Sequence, residues 1–132
     1  MFSKFTRSRI FAAHVVAALF LTATIQAGEA PPKRELPAGV HQIHLLITGR
    51  VQGVGFRDFT QRTAEKLGIL GWVRNLADGS VELCAQGPDD KLKEFTEKVS
   101  AGPSSAKVEK VEQVKSDLEE LGKFEVREST TK

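Results

Sequence analysis

The sequence predicts an α+β sandwich of order βαββαβ, with two helices on one face of a mainly antiparallel sheet and a short extra strand at the C-terminus. Three observations carry that reading. Apolar stretches follow one another as strand, helix, strand, strand, helix, strand, which is a split βαβ unit repeated. Gly68 and Gly102-Pro103 stand where the two helical patterns must stop. Asp78-Gly79 sits between the two middle strands as a tight hairpin turn.

Residues 1–27 are expected to lie outside this domain. Met1 to Arg9 carries Lys4, Arg7 and Arg9 with no acidic residue, Ile10 to Ile25 is almost continuously apolar, and Ala27 offers a small residue for cleavage. That layout predicts a signal peptide and export to the periplasm or beyond. The apolar run is shorter than the ~20 residues a spanning helix needs, so no membrane association is expected once the leader is cut; an uncleaved leader would anchor the chain. Cleavage removes three of the 19 basic residues and none of the 17 acidic ones. What remains is close to neutral, and a basic surface for nucleic acid is not expected.

Residues 28–39 hold Pro31, Pro32 and Pro37 among mixed charges and read as an extended linker. The globular domain is placed at 40–128 and a flexible tail at 129–132. Its only cysteine is Cys84, so no internal disulfide is expected; with His41 and His44 as its only histidines, no metal site is expected. No cofactor is called for, and nothing in the pattern asks for more than a monomer.

Within the domain the first strand is predicted at about Gln42 to Thr48. A helix follows to Leu67, with Phe56, Phe59, Ala64 and Leu67 at near-helical spacing. Ile69 to Asn75 returns as a strand. After the turn, Val81, Leu83 and Ala85 alternate with Glu82, Cys84 and Gln86, the pattern of a strand with one buried face. Gly87-Pro88 is expected to open the second helix, whose inward stripe is Leu92, Phe95 and Val99. Lys107 to Lys115 carries Val108, Val111 and Val114 at period three and is read as a strand with a bulge. Phe124 to Arg127 forms the last short strand. The sheet face away from the helices is expected to meet solvent.

The chemistry concentrates in Gly49-Arg50-Val51-Gln52-Gly53-Val54-Gly55-Phe56-Arg57, between the first strand and the first helix. Glycines there let successive amides curl inward as an anion-binding nest, at the positive end of a helix dipole. Arg57 adds a planar cationic fork suited to phosphate. A Walker-type loop would end in Gly-Lys-Ser/Thr rather than Gly-Phe-Arg, and a dinucleotide fingerprint starting at Gly53 would need glycine where Asp58 stands. Neither applies.

Gly49 to Arg57, Gly71-Trp72-Val73-Arg74-Asn75, Asp78-Gly79-Ser80-Val81, Gln86-Gly87-Pro88 and the Gly102 to Val108 junction together resemble the acylphosphatase family, in register from about His41 to Arg127. The resemblance implies a ferredoxin-like sandwich that hydrolyses the carboxyl–phosphate bond of small acyl phosphates. It also implies that Arg57 and Asn75 are the catalytic residues and that a loop of Gln52, Gly53, Val54, Gly55 and Phe56 cradles the phosphate. Thr60 and Glu128 are candidates for support. In the family the terminal carboxylate commonly lies near the catalytic arginine; here the chain runs on past Arg127, and either Glu128 or nothing takes its place. Trp72 and Phe59 are expected in the core, Arg50 and Arg74 on the surface, and Cys84 as a packed side chain. The alternative function is an exported anion-binding or interaction domain of the same fold without turnover.

Overall fold

The computed structural model describes residues Arg34 to Thr131; the predicted leader and the first part of the linker lie outside them. Five strands and two helices follow in the order β1 (Val40–Arg50), α1 (Phe56–Leu67), β2 (Leu70–Asn75), β3 (Val81–Pro88), α2 (Asp89–Ala101), β4 (Lys107–Gln113) and β5 (Glu125–Val126). The sheet order is β4-β1-β3-β2-β5. All pairs are antiparallel except β2 with β5, which run parallel.

Side chains alternate across the sheet with period two, so odd-numbered residues of β1, β2 and β3 share the helix side. There Leu45, Ile47, Val73, Val81, Leu83 and Ala85 meet Phe56 and Ala64 of α1 and Leu92, Phe95 and Val99 of α2 in one buried core. Phe124, just before β5, joins it with its ring 5.9 Å from that of Phe95. At the start of α2, Pro88 is extended at ψ 149° and caps the helix, with Asp89 and Asp90 in its first turn. Gly87 and Pro88 therefore close β3 rather than open the helix.

The bulge expected in β4 has a definite place. Thr48 pairs with Lys110 and Gly49 with Val108, which leaves Glu109 as the extra residue. That insertion is why Val108 and Val111, three apart, both pack against the core. It also needs Gly49, where a Cβ would stand 2.2 Å from the Lys107 carbonyl oxygen. Immediately afterwards β1 turns out of the sheet.

The second sheet face is not left to water, contrary to the one-sided pattern read from β3. Cys84 and Gln86 are buried along with their neighbours. The chain between β4 and β5 straps that face: Val114 N–H donates to the His44 carbonyl at 2.9 Å, and Glu119 N–H to Gln42 Oε1 at 3.0 Å. Gln86 Nε2 donates to the Glu119 carbonyl at 2.8 Å, and Trp72 Nε1 to its carboxylate at 3.2 Å. Trp72 is buried under this strap and is not part of the helix-side core. The guanidinium carbons of Arg74 and Arg127 lie 5.0 and 4.7 Å from its ring centre. Arg74 is accordingly half-buried, bonded to Glu82 at 2.8 Å. Burial pushes the Glu82 carboxyl up, but Arg74 and His44 together hold it below the usual range. Burial, and then the neighbouring Glu119, raises the Cys84 thiol to about 12, so it is no nucleophile at neutral pH.

Candidate active site

β1 delivers the chain to Val51, which is buried and anchors the loop that follows. Gly53 and Gly55 then take φ of +74° and +77°, a left-handed conformation that no non-glycine residue adopts among the described residues. Gly55 is also the N-terminal boundary of α1, with no side chain capping it. Among the described residues, the N–H groups of residues 52 through 58 make no turn, loop or cap bond. A helix start leaves such donors unspent, and their partial positive charge collects at one spot.

That spot is a cavity of about 260 Å³ lined by Val51, Gly53, Gly55, Phe56, Arg57, Asp58, Asn75 and Val126. The structure thus brings Arg57 and Asn75 together with the glycine loop, although 18 positions of sequence separate them. Arg57 is half-buried and has no salt-bridge partner among the described residues. Asp58, the acid beside it, pairs at 2.7 Å with Arg62 one turn on. The cavity therefore presents uncompensated positive character. Asn75, last in β2, lies on the helix side with Val73. Its Oδ1 is buried with no hydrogen-bond partner among the described residues, and a half-turn of the amide exchanges oxygen and nitrogen without moving the chain. A buried acceptor left unpaired is uncommon, and at a site it marks where a water or ligand donor belongs.

The remaining predicted loop residues divide by role. Phe56 lines the cavity too, although its side chain is buried in the core. Gln52 does not line the cavity. Its Nε2 donates to the Leu76 and Ser80 carbonyls, each at 2.8 Å, which fastens the loop to the β2–β3 hairpin that carries Asn75. Val54 also stands off the cavity, and its carbonyl accepts from Ser105 Oγ at 2.9 Å. Replacing Gln52 with alanine is expected to cost about 1–3 kcal/mol, because the loop loses both of its hydrogen bonds to the hairpin. Urea denaturation checks this, and kcat is expected to fall alongside as the loop loses its fixed distance from Asn75.

Two expectations are corrected. Thr60 is buried, but its Oγ1 donates to the Phe56 carbonyl at 2.8 Å, an ordinary bond one helical turn back; it reaches neither Arg57 nor a loop amide. Glu128 is exposed and makes no ion pair with Arg57. Beyond β5 the chain keeps following β2, with Arg127 N–H donating to the Val73 carbonyl at 2.8 Å and Thr130 N–H to the Asn75 carbonyl at 3.0 Å. The chain end expected to fray from Ser129 is therefore tied down at Thr130. Glu128→Gln is expected to leave both rate and melting temperature unchanged, measured by phosphate release and by circular dichroism. Sequence reasoning missed Val126 as a cavity wall and Gln52 as a brace; only the placing of a strand at Phe124 to Arg127 pointed toward the former.

The fold is a split βαβ α+β sandwich, and its candidate site joins a glycine loop, a guanidinium and a carboxamide in one cavity at the start of a helix. Comparison with known proteins gives the family. The acylphosphatase family model matches residues 43–126. An acylphosphatase of Salinibacter ruber is 58% identical over 71 residues, covering 54% of this chain and 75% of that one. One from Trichormus variabilis is 46% identical over 86 residues, covering 65% and 85% respectively. The structure of an acylphosphatase from Coxiella burnetii superposes with a TM-score of 0.64 at 39% identity, covering 67% of this chain and 94% of that chain. The chain belongs to the acylphosphatase family, and its sheet and helices have that family's ferredoxin-like arrangement.

Proposed function

We propose that this protein hydrolyses the carboxyl–phosphate bond of small acyl phosphates without a metal ion, Arg57 and the loop amides holding the phosphate and Asn75 orienting the attacking water. The single observation that carries this reading is the shared cavity. It joins a guanidinium to a buried amide oxygen, and among the described residues the first has no anionic partner and the second no donor.

The chemistry follows from those groups. In a loose phosphoryl-transfer transition state the protein mainly positions the reactants and stabilises charge on the phosphate oxygens. Preorganised N–H groups and Arg57 do this without rearranging. The leaving group is a carboxylate whose conjugate acid has a pKa of about 4, like a side-chain carboxyl. It departs unprotonated at neutral pH, so the reaction asks for no general acid, and Asp58, held by Arg62, is not needed as one. A carboxamide is no base at neutral pH, but it accepts from water through oxygen and donates through nitrogen. Its contribution is alignment, which in-line attack requires to within about 3–3.5 Å. Val126, 40% exposed, gives the cavity an apolar wall suited to a small apolar acyl group.

Export as a monomer, with residues 1–27 removed, is part of the same reading and rests on the leader's charge and apolar pattern. Mass spectrometry of the mature N-terminus tests it, with Gly28 as the expected first residue.

The function itself is tested by release of phosphate from benzoyl phosphate in EDTA. Turnover is expected to persist in the chelator and to fall steeply in Arg57→Ala and Asn75→Ala. A wild type no faster than either variant would instead favour a domain that only binds anions. Activity lost in EDTA and restored by magnesium would overturn the metal-independent mechanism.

A further inference from the structure

We infer that Thr130, in the segment that runs on past β5, is a positioning residue for Asn75. The inference rests on the role proposed above for Asn75. β2 ends at Asn75, and the hairpin beyond it is closed by its own bonds, from Leu76 N–H to the Ser80 carbonyl at 2.8 Å and from Gly79 N–H to the Leu76 carbonyl at 3.2 Å. Those bonds shape the turn but do not fix where Asn75 sits against the cavity. The β2–β3 ladder, in which Asn75 pairs with Val81, holds its backbone along one edge, and two further ties act from outside the turn. Gln52 grips the Leu76 and Ser80 carbonyls from the loop side. Thr130 grips from the opposite side: its N–H donates to the Asn75 carbonyl at 3.0 Å, and its Oγ1 accepts from Ala77 N–H at 3.2 Å.

Thr130 thus brackets Leu76 along the backbone and holds the peptide that leaves Asn75, on what would otherwise be an edge of β2 with unpaired groups. Arg127 bonds to Val73 and Thr130 to Asn75, so three residues of this segment span two of β2, and one extra residue takes up the slack before Thr130 reaches the Asn75 carbonyl. The segment past β5 thus holds the start of the hairpin that follows the other catalytic candidate. A side chain whose task is aiming water is sensitive to displacements well under the size of a hydrogen bond, because alignment is its whole contribution.

The test uses Thr130→Val, which keeps the shape and the N–H but loses the Oγ1 acceptor, Thr130→Pro, which also removes the N–H, and Thr130→Ser, which restores both. Steady-state kinetics on benzoyl phosphate and competitive inhibition by inorganic phosphate are measured for each. In Thr130→Val, kcat is expected to fall about 3–10-fold, the loss of one hydrogen bond at about 1 kcal/mol. The fall should be larger in Thr130→Pro and within twofold of wild type in Thr130→Ser. KM and phosphate inhibition are expected to stay unchanged throughout, since the loop amides and Arg57 are untouched. In an Asn75→Ala background Thr130→Val is expected to have no further effect. A kcat within twofold of wild type in both Val and Pro variants, or a parallel rise in KM and the inhibition constant, would overturn the inference. If Asn75→Ala itself left kcat intact, the fault would lie with the role given to Asn75 and not with Thr130 alone.

Discussion

Replacing Arg57 with alanine is expected to lower kcat/KM on an acyl phosphate by roughly three orders of magnitude, in line with the loss of a charged transition-state donor. The same change is expected to leave the protein as stable as before or slightly more so. Arg57 sits in the first turn of α1, where a cation opposes the helix dipole by about 0.3–1 kcal/mol, and no carboxylate among the described residues offsets it. Among the described residues Arg57 is an unpaired cation at an unfavourable position, and under the proposed function the incoming phosphate is what satisfies it. Inorganic phosphate should therefore raise the melting temperature of the wild type by ligand linkage, and Arg57→Ala should lose that rise. Lysine at 57 is expected to recover only part of the activity, because a point charge cannot reproduce the planar fork.

Asn75→Ala is expected to lower kcat on the order of 100-fold with KM little changed, because it removes an interaction made with the attacking water and not with the bound ground state. Stability is again expected to hold or to rise. A buried acceptor without a donor costs about 1–3 kcal/mol in the folded state, and alanine removes the acceptor; the small cavity left behind works against that gain. Both catalytic candidates are thus predicted to be neutral or costly for folding, which separates them from Gln52, whose loss should cost stability and turnover together. Scanning the three by chemical denaturation and by turnover distinguishes groups kept for chemistry from groups kept for architecture.

How much of this was legible in the chain depended on how local the determinants were. The five strands and two helices showed through because each carries its own period and its own stop: Gly68 after α1, Asp78-Gly79 between β2 and β3, Gly102-Pro103 after α2. The bulge showed through the period-three valines, although its partner, the glycine at 49, could be identified only once β1 and β4 were paired. Alternation misled at β3. Glu82, Cys84 and Gln86 read as a wet face, yet Gln86 is buried because Glu119 and Gln42 satisfy its amide from distant parts of the chain. Lys115 to Glu120 is polar enough to pass for a solvated loop, and nothing nearby in sequence says that it will strap the sheet. Long-range polar pairing has no periodicity to read.

The same division holds at the site. Gly53, Gly55 and Arg57 announce an anion cradle by residue type and order, and Asn75 entered through its register with that block. The residues that hold these groups in place were silent. Gln52 acts across 28 positions to Ser80, and Thr130 across 53 to Ala77. Glu128, favoured because it is the first acid past the last strand, fails because the parallel run beside β2 leaves it exposed. Charge alone was a poor guide to which end of the chain meets which catalytic residue.

The division of labour between the cradle and the amide is tested most directly by the affinity of the Asn75→Ala protein for inorganic phosphate, measured by titration calorimetry beside the wild type. The expected result is a dissociation constant within about twofold of wild type in a protein whose turnover has collapsed, since holding the anion belongs to Arg57 and the backbone amides. Phosphate affinity lost in step with turnover would show instead that Asn75 holds the anion itself, and would contradict the account.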